Sequence, residues 1–206
     1  LAEYKLHGFS VSGNCYKVAL MLAACAADWE PVQIRRSDMR DPAWRARVNP
    51  TGEAPVLEHK GKFIRQSPII LDYLAETLGQ HGWASETERR EIQTWMFFDN
   101  HKFTGPLSSA RFRRVILKID DAATKDYQDR FDLSLGIIEQ RLGQHPWIAL
   151  DRLTIADFSY AGYLFYDPGE LALDWSKVPN LDAWRGRIRA LPGFKDPLEM
   201  LPPIAA

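Results

Sequence analysis

Cysteine is nearly absent from this chain: two residues, Cys15 and Cys25, among 206. On a single helix they would stand roughly 15 Å apart, at about 1.5 Å per residue, too far for a disulfide. A reducing, cytoplasmic setting is expected, and no secretory signal is legible. No apolar run approaches the roughly 20 residues of a membrane span, so no membrane partner is expected. Neither charge dominates, with 26 basic against 27 acidic residues and a net charge of −1. Nucleic-acid binding would need a basic face and is not expected. The five histidines, His7, His59, His81, His101 and His145, show no metal-ligand spacing, so no metal is expected. No internal repeat or low-complexity tract stands out.

What remains is enough chain for one large domain or two small ones, with a change of texture near residue 80. Before it, strand and helix patterns alternate. Tyr4 to His7 reads as a strand and Asn14 to Ala26 as a helix with Val18, Leu22 and Cys25 on one face. Pro31 to Ile34 reads as a weak strand, and Asp41 to Val48 as a short helix ended by Asn49-Pro50-Thr51-Gly52. Val56–His59 and Lys62–Ile64 form a hairpin over Lys60-Gly61. A helix follows from Ser67, stopped by Gly79. The order βαβαββα is an α/β unit. After the linker Gly79–Gly82 only helices are expected. Ser85 with Glu88 and Thr154 with Asp157 read as capping boxes, with Leu153 able to staple onto Phe158. A break is expected near Gly105-Pro106. A long helix should run from about Ala122 to Leu142, and a last one should start at Pro179-Asn180-Leu181.

Two short stretches carry the functional signal. Glu53-Ala54-Pro55-Val56-Leu57 is a proline entering a strand, where it is tolerated. A cis bond before Pro55 would turn the Ala54 backbone outward to pair with an extended peptide. The alternative is an edge strand with a trans proline. Gln66-Ser67-Pro68 opens an apolar-periodic helix with a serine cap and a proline in the first turn. Its free N–H groups and dipole suit a carboxylate or phosphate. The alternative is that Ser67 only caps.

Five motifs in order along the chain carry a resemblance. They are Ser12-Gly13-Asn14-Cys15, Asn49-Pro50-Thr51-Gly52-Glu53-Ala54-Pro55-Val56-Leu57, Gln66-Ser67-Pro68-Ile69-Ile70, Leu153-Thr154-Ile155-Ala156-Asp157-Phe158, and Pro179-Asn180-Leu181 with Trp184. Together they make the chain resemble the cytosolic glutathione S-transferases over its whole length. The resemblance implies a thioredoxin-like βαβαββα domain over residues 1–79. An all-helical domain over 86–206, contributing the electrophile site, would follow. It implies a homodimer, glutathione as co-substrate, and attack of the glutathione thiol on an apolar electrophile. It implies a cis Pro55, an Ala54 backbone paired with the cysteinyl unit, Glu53 and Pro55 among the glutathione-binding residues, and Gln66 and Ser67 at the γ-glutamyl end. Many members carry Glu where this chain has Gln66, which can accept from the ammonium but brings no charge. The resemblance therefore implies either weaker binding at that end or reliance on another acid, with Asp99 of the partner subunit one candidate. Arg36 and Arg40 are the candidates for the glycyl carboxylate.

The chemistry implied is thiol activation. A free thiol ionises near pH 8.5, and a donor aimed at sulfur favours the thiolate. Members using tyrosine place it at the end of the first strand, where this chain has Gly8. The chain therefore resembles the serine-using, theta/zeta/delta-like branch, with Ser12 as activator and Asn14 as a second donor. Ser10 is the rival, and plain N-capping is the structural alternative for Ser12. Cys15 could do redox chemistry only if it were accessible. Asp157 is expected to hold the fold. Trp95, Phe98, Phe165 and Tyr166 should be mostly core, with a subset and Phe9 able to line an apolar pocket. Alternatives to transfer are a glutathione-dependent isomerase or reductase, or a non-catalytic binding member of the fold.

Overall fold

A computed structural model describes residues 2–205. The chain divides into two compact units, one running through Gln80 and resumed from Leu191, the other spanning His81–Ala190.

The first unit is built on strands β1 (Tyr4–Gly8), β2 (Trp29–Gln33), β3 (Val56–His59) and β4 (Lys62–Arg65), in the order β2-β1-β3-β4. β1 pairs parallel to β2, and β1–β3 and β3–β4 are antiparallel. β2 begins earlier than its own residues suggest. Its bounds are set by pairing, with Tyr4 opposite Trp29 and Gly8 opposite Gln33. Helices α1 (Gly13–Ala24), α2 (Pro42–Arg47) and α3 (Ser67–Leu78) complete the expected βαβαββα order. α1 is buried well beyond one face, with every residue from Cys15 to Leu22 closed to solvent. Besides the sheet it meets α3 and a short helix, α10 (Pro197–Met200). Trp44 from α2 and Val48 just after it pack on Val56, Met39 and Phe63. Gly79 closes α3 in the left-handed conformation, as its sequence position predicts.

The tail from Leu191 onward belongs with this first unit rather than with the helices that precede it. The reason is local packing against α1. Tyr16 donates its hydroxyl to the Lys195 carbonyl at 3.0 Å. Ser10 N–H donates to the Pro202 carbonyl at 2.8 Å. Gly193, at φ +68°, passes so close to α1 that a Cβ there would lie 2.9 Å from the Ala23 carbonyl oxygen.

The second unit is all helical: α4 (Glu86–Phe98), α5 (Thr104–Arg111), α6 (Ala122–Gln144), α7 (Ile155–Ala161), α8 (Pro168–Leu171) and α9 (Pro179–Arg189). The break expected near Gly105-Pro106 is a widened π-helical turn at Asp99–Phe103. Pro106 has no N–H to close the bond to the Lys102 carbonyl, and its ring presses on that turn. Ser85 caps α4 by accepting from Glu88 N–H at 3.2 Å, while the Glu88 carboxylate reaches Ala84 N–H at 2.8 Å. None of the helices among the described residues is long and apolar enough to cross a membrane.

Asp157 is the polar centre of this unit. It is fully buried. Its Oδ2 accepts from Thr154 N–H at 2.9 Å and the Thr154 hydroxyl at 3.2 Å, completing the reach-back expected at the start of α7. Its Oδ1 accepts from Ile148 N–H and Trp184 Nε1–H, each at 3.0 Å. Burial raises its pKa, and these four donors oppose the rise. Asp157 therefore ties the loop before α7 and α9 to the helix it caps, which is more than a helix cap.

Candidate functional site

The strand registers bring the motif residues to one edge of the first unit. His7 lies opposite Val56, and Val56 opposite Arg65. The next residues outward are Gly8 at the end of β1, Pro55 before β3, and Gln66 after β4. The loop into α1 and the start of α3 begin at this same edge.

Each side chain is held in a way that can be traced. The Ala54–Pro55 bond is cis. Asn49, almost wholly buried, donates Nδ2–H to the Glu53 carbonyl at 2.8 Å. Its Oδ1 accepts from Thr51 N–H at 3.2 Å and the Thr51 hydroxyl at 3.0 Å. This fixes the loop that carries Glu53 and Ala54. The Glu53 carboxylate is exposed; its Oε2 accepts from the Thr51 hydroxyl at 3.1 Å and from Gln66 Nε2–H at 3.0 Å.

The helix start differs from the sequence expectation. Ser67 is the first helical residue, and the cap position falls on Gln66, at φ +67°. The chain turns from β4 into α3 in a single residue, and Gln66 takes a positive φ with ψ +117°, a combination that non-glycine residues seldom adopt. Its carbonyl accepts from Ile70 N–H at 2.9 Å. The Ser67 hydroxyl is thereby released from capping and donates to Asn14 Oδ1 at 3.3 Å. That bond joins α1 to α3, a pairing that no spacing in the sequence announces. The Ser67 N–H lies in the unpaired first turn of α3, beside the positive end of the helix dipole.

Ser12 caps α1, its Oγ accepting from Cys15 N–H at 3.3 Å. It stays partly exposed, whereas Ser10 is buried with its N–H tied to the tail. With Asn14 Oδ1 engaged by Ser67, the Asn14 Nδ2–H donors make no hydrogen bond among the described residues. Gly8 stands at the end of β1, against Cys15. A Cβ there would come 2.9 Å from Cys15 Sγ, so any side chain at this position would have to displace the buried Cys15 side chain. Arg36 and Arg40 are exposed on the connection from β2 to α2. Asp99 is not available to a partner subunit: it is buried in its own unit, accepting from the Thr104 and Ser159 hydroxyls at 2.5 Å each. Among the aromatic residues, Phe165 and Tyr166 are buried, while Trp95, Phe98 and Phe9 are partly exposed.

Cys15 is fully buried, and burial pushes its thiol up from 9.0 to about 11 despite the opposing influence of the neighbouring Ser12 side chain and Phe9 backbone. Burial pushes Cys25 to about 11 as well. A redox role for Cys15 would need an accessible thiolate, which this environment denies. Neither thiol is expected to react with Ellman's reagent in the native protein at neutral pH. An acid raised on folding stabilises the fold fully below its unfolded pKa and loses that contribution as pH rises through the folded value. Stability should thus fall between about pH 9 and 11. Urea midpoints of a Cys15→Ala/Cys25→Ala variant should show a shallower fall over that window, and an unchanged slope would count against the assignment.

Comparison with known proteins agrees with this geometry. Residues 11–77 match the family model for the glutathione S-transferase N-terminal domain, and residues 121–187 that for the C-terminal domain. A glutathione S-transferase of Hyoscyamus muticus is 27% identical over 95% of this chain and 97% of its own. The crystal structure of a possible glutathione S-transferase from Rhodopseudomonas palustris is 32% identical, with a TM-score of 0.88 over 96% of this chain and 98% of its own. One from Xanthobacter autotrophicus Py2 is 28% identical, with a TM-score of 0.86 over 95% and 98%. A thioredoxin-like unit with its motif residues gathered at one sheet edge, an all-helical unit built on a buried Asp157, and both family models matched in order place the chain in the glutathione S-transferase family.

Proposed function

We propose that the protein is a glutathione transferase that binds glutathione along the Ala54 edge and ionises its thiol beside Ser12. The observation that carries the reading is the Ser67–Asn14 bond together with the Glu53–Gln66 bond. They fix two helix starts and one strand edge as a single polar surface. Ser67 supplies its amide for the γ-glutamyl carboxylate, and its hydroxyl once that proton is exchanged from Asn14 Oδ1 to the ligand. The outward Ala54 backbone pairs with the cysteinyl unit. That places the thiol at the start of α1, where the Ser12 hydroxyl donates to sulfur and Asn14 Nδ2–H is the second donor. Ser12 is preferred to Ser10 because it is partly exposed and already oriented by its bond from Cys15 N–H. The thiolate then attacks an apolar electrophile. Arg36 and Arg40 are the cations available for the glycyl carboxylate.

Ser67→Ala should weaken glutathione binding by about 1–3 kcal/mol, the usual loss when a charged group is left without a partner. Titration calorimetry measures this, and an unchanged affinity would remove Ser67 from the site. The working form is a homodimer in this reading. Ile69 on α3 and Phe97 on α4 are 58% and 74% exposed, the kind of apolar surface an assembly covers. Sedimentation velocity tests it: a single monomeric species at micromolar concentration rules the dimer out.

A further inference from the structure

We propose that Glu53 supplies the negative charge that holds the γ-glutamyl ammonium; the inference rests on the glutathione reading above. The γ-glutamyl end of glutathione is an amino-acid zwitterion, and its two charges make opposite demands. The carboxylate needs donors, which Ser67 and the start of α3 offer. The ammonium needs acceptors and, for more than weak binding, an anion. Gln66 is the side chain at that end, and it is neutral.

The geometry around Gln66 provides the missing charge. Its Nε2 donates to Glu53 Oε2 at 3.0 Å. That bond uses one of the two amide N–H donors and leaves Gln66 Oε1 as an acceptor. Glu53 Oε2 is also held by the Thr51 hydroxyl at 3.1 Å, while Oε1 makes no hydrogen bond among the described residues. Two acceptor oxygens and one negative charge therefore stand side by side, next to Ser67. The pair is stiff at both ends. The Glu53 backbone is pinned by buried Asn49, and the Gln66 backbone is held at positive φ between β4 and α3. A carboxylate held in place by neighbouring hydrogen bonds sacrifices less side-chain freedom when the ammonium arrives. Gln66 acts here as the orienting residue and Glu53 as the charged one.

The test compares glutathione with its desamino analogue, in which hydrogen replaces the γ-glutamyl ammonium. Both are titrated into the wild type, E53Q, and E53Q/Q66E by calorimetry. E53Q keeps the shape of the side chain and removes its charge. It should weaken glutathione about tenfold and leave the analogue nearly unchanged. E53Q/Q66E restores a carboxylate in the same pair and should recover most of the glutathione affinity. Equal loss of both ligands in E53Q would mean that Glu53 only shapes the loop, and would overturn the proposal. So would unchanged glutathione affinity in E53Q, or a double variant as weak as E53Q. A wild type that binds neither ligand would overturn the glutathione reading itself, a result distinct from all of these.

Discussion

Ser12→Ala is expected to raise the pKa of enzyme-bound glutathione by about one to two units, as loss of a donor to the charged form does. Each unit corresponds to about 1.4 kcal/mol. The sign fixes the pH profile. Between the wild-type and variant pKa values the wild type holds a thiolate and the variant a thiol. Turnover at neutral pH should therefore fall by about ten- to a hundredfold. The deficit should shrink as pH rises through the variant's pKa, because both then carry the thiolate. Thiolate absorbance titrated in the binary complex reads the shift directly. Asn14→Ala should behave differently. Asn14 Oδ1 accepts the Ser67 hydroxyl, so its loss frees Ser67 and should weaken glutathione binding as well as moving the thiol pKa. Ser10→Ala should move neither, since Ser10 is buried and anchored to the tail. An unshifted thiol in Ser12→Ala, with a large shift in Ser10→Ala or Asn14→Ala, would transfer the role.

Asp157→Ala should cost about 3–5 kcal/mol of stability, well above the 0.5–2 kcal/mol or so of a simple cap. The difference lies in what the carboxylate holds. Removing it strands Ile148 N–H, Trp184 Nε1–H and Thr154 N–H in a buried site, and each unsatisfied buried group costs about 1–3 kcal/mol. The total falls short of the sum because the cavity relaxes. Asp157→Asn keeps one acceptor oxygen but aims an amide donor at other donors, so an intermediate loss is expected. Urea denaturation followed by tryptophan fluorescence measures both, since Trp184 is itself a partner. Glutathione affinity of the folded fraction should be nearly unchanged. A midpoint that stays put while turnover collapses would make Asp157 part of the chemistry.

Residue patterns made much of the fold legible. Alternation and turn residues marked all four strands, and Gly79 marked the end of α3, because these depend on the local backbone. The two capping sites were legible for the same reason: the partners lie three residues apart. Signals that depend on distant residues were not. Nothing near Asp157 reveals that Trp184 and Ile148 converge on it, so its sequence reads as a cap and its structure as a hub. Asp99 has the same history, reading as a free acid and lying buried under two hydroxyls.

The candidate site divides along the same line. The sequence by itself determined which residue types were present: a proline entering a strand, a serine at a helix start, a hydroxyl and an amide before Cys15, and no tyrosine after β1. It also determined that position 66 is neutral, which posed the question of where the ammonium finds its charge. Only the tertiary structure decided how these residues combine. It moved the cap from Ser67 to Gln66, because the turn from β4 into α3 is made in one residue at positive φ. It joined Ser67 to Asn14 and Gln66 to Glu53, since sheet register places three loops at one edge. It closed Gly8 against Cys15 and sealed that thiol from solvent. Local patterns set backbone conformation residue by residue. Hydrogen bonds between side chains far apart in sequence exist only after the sheet has brought their loops together.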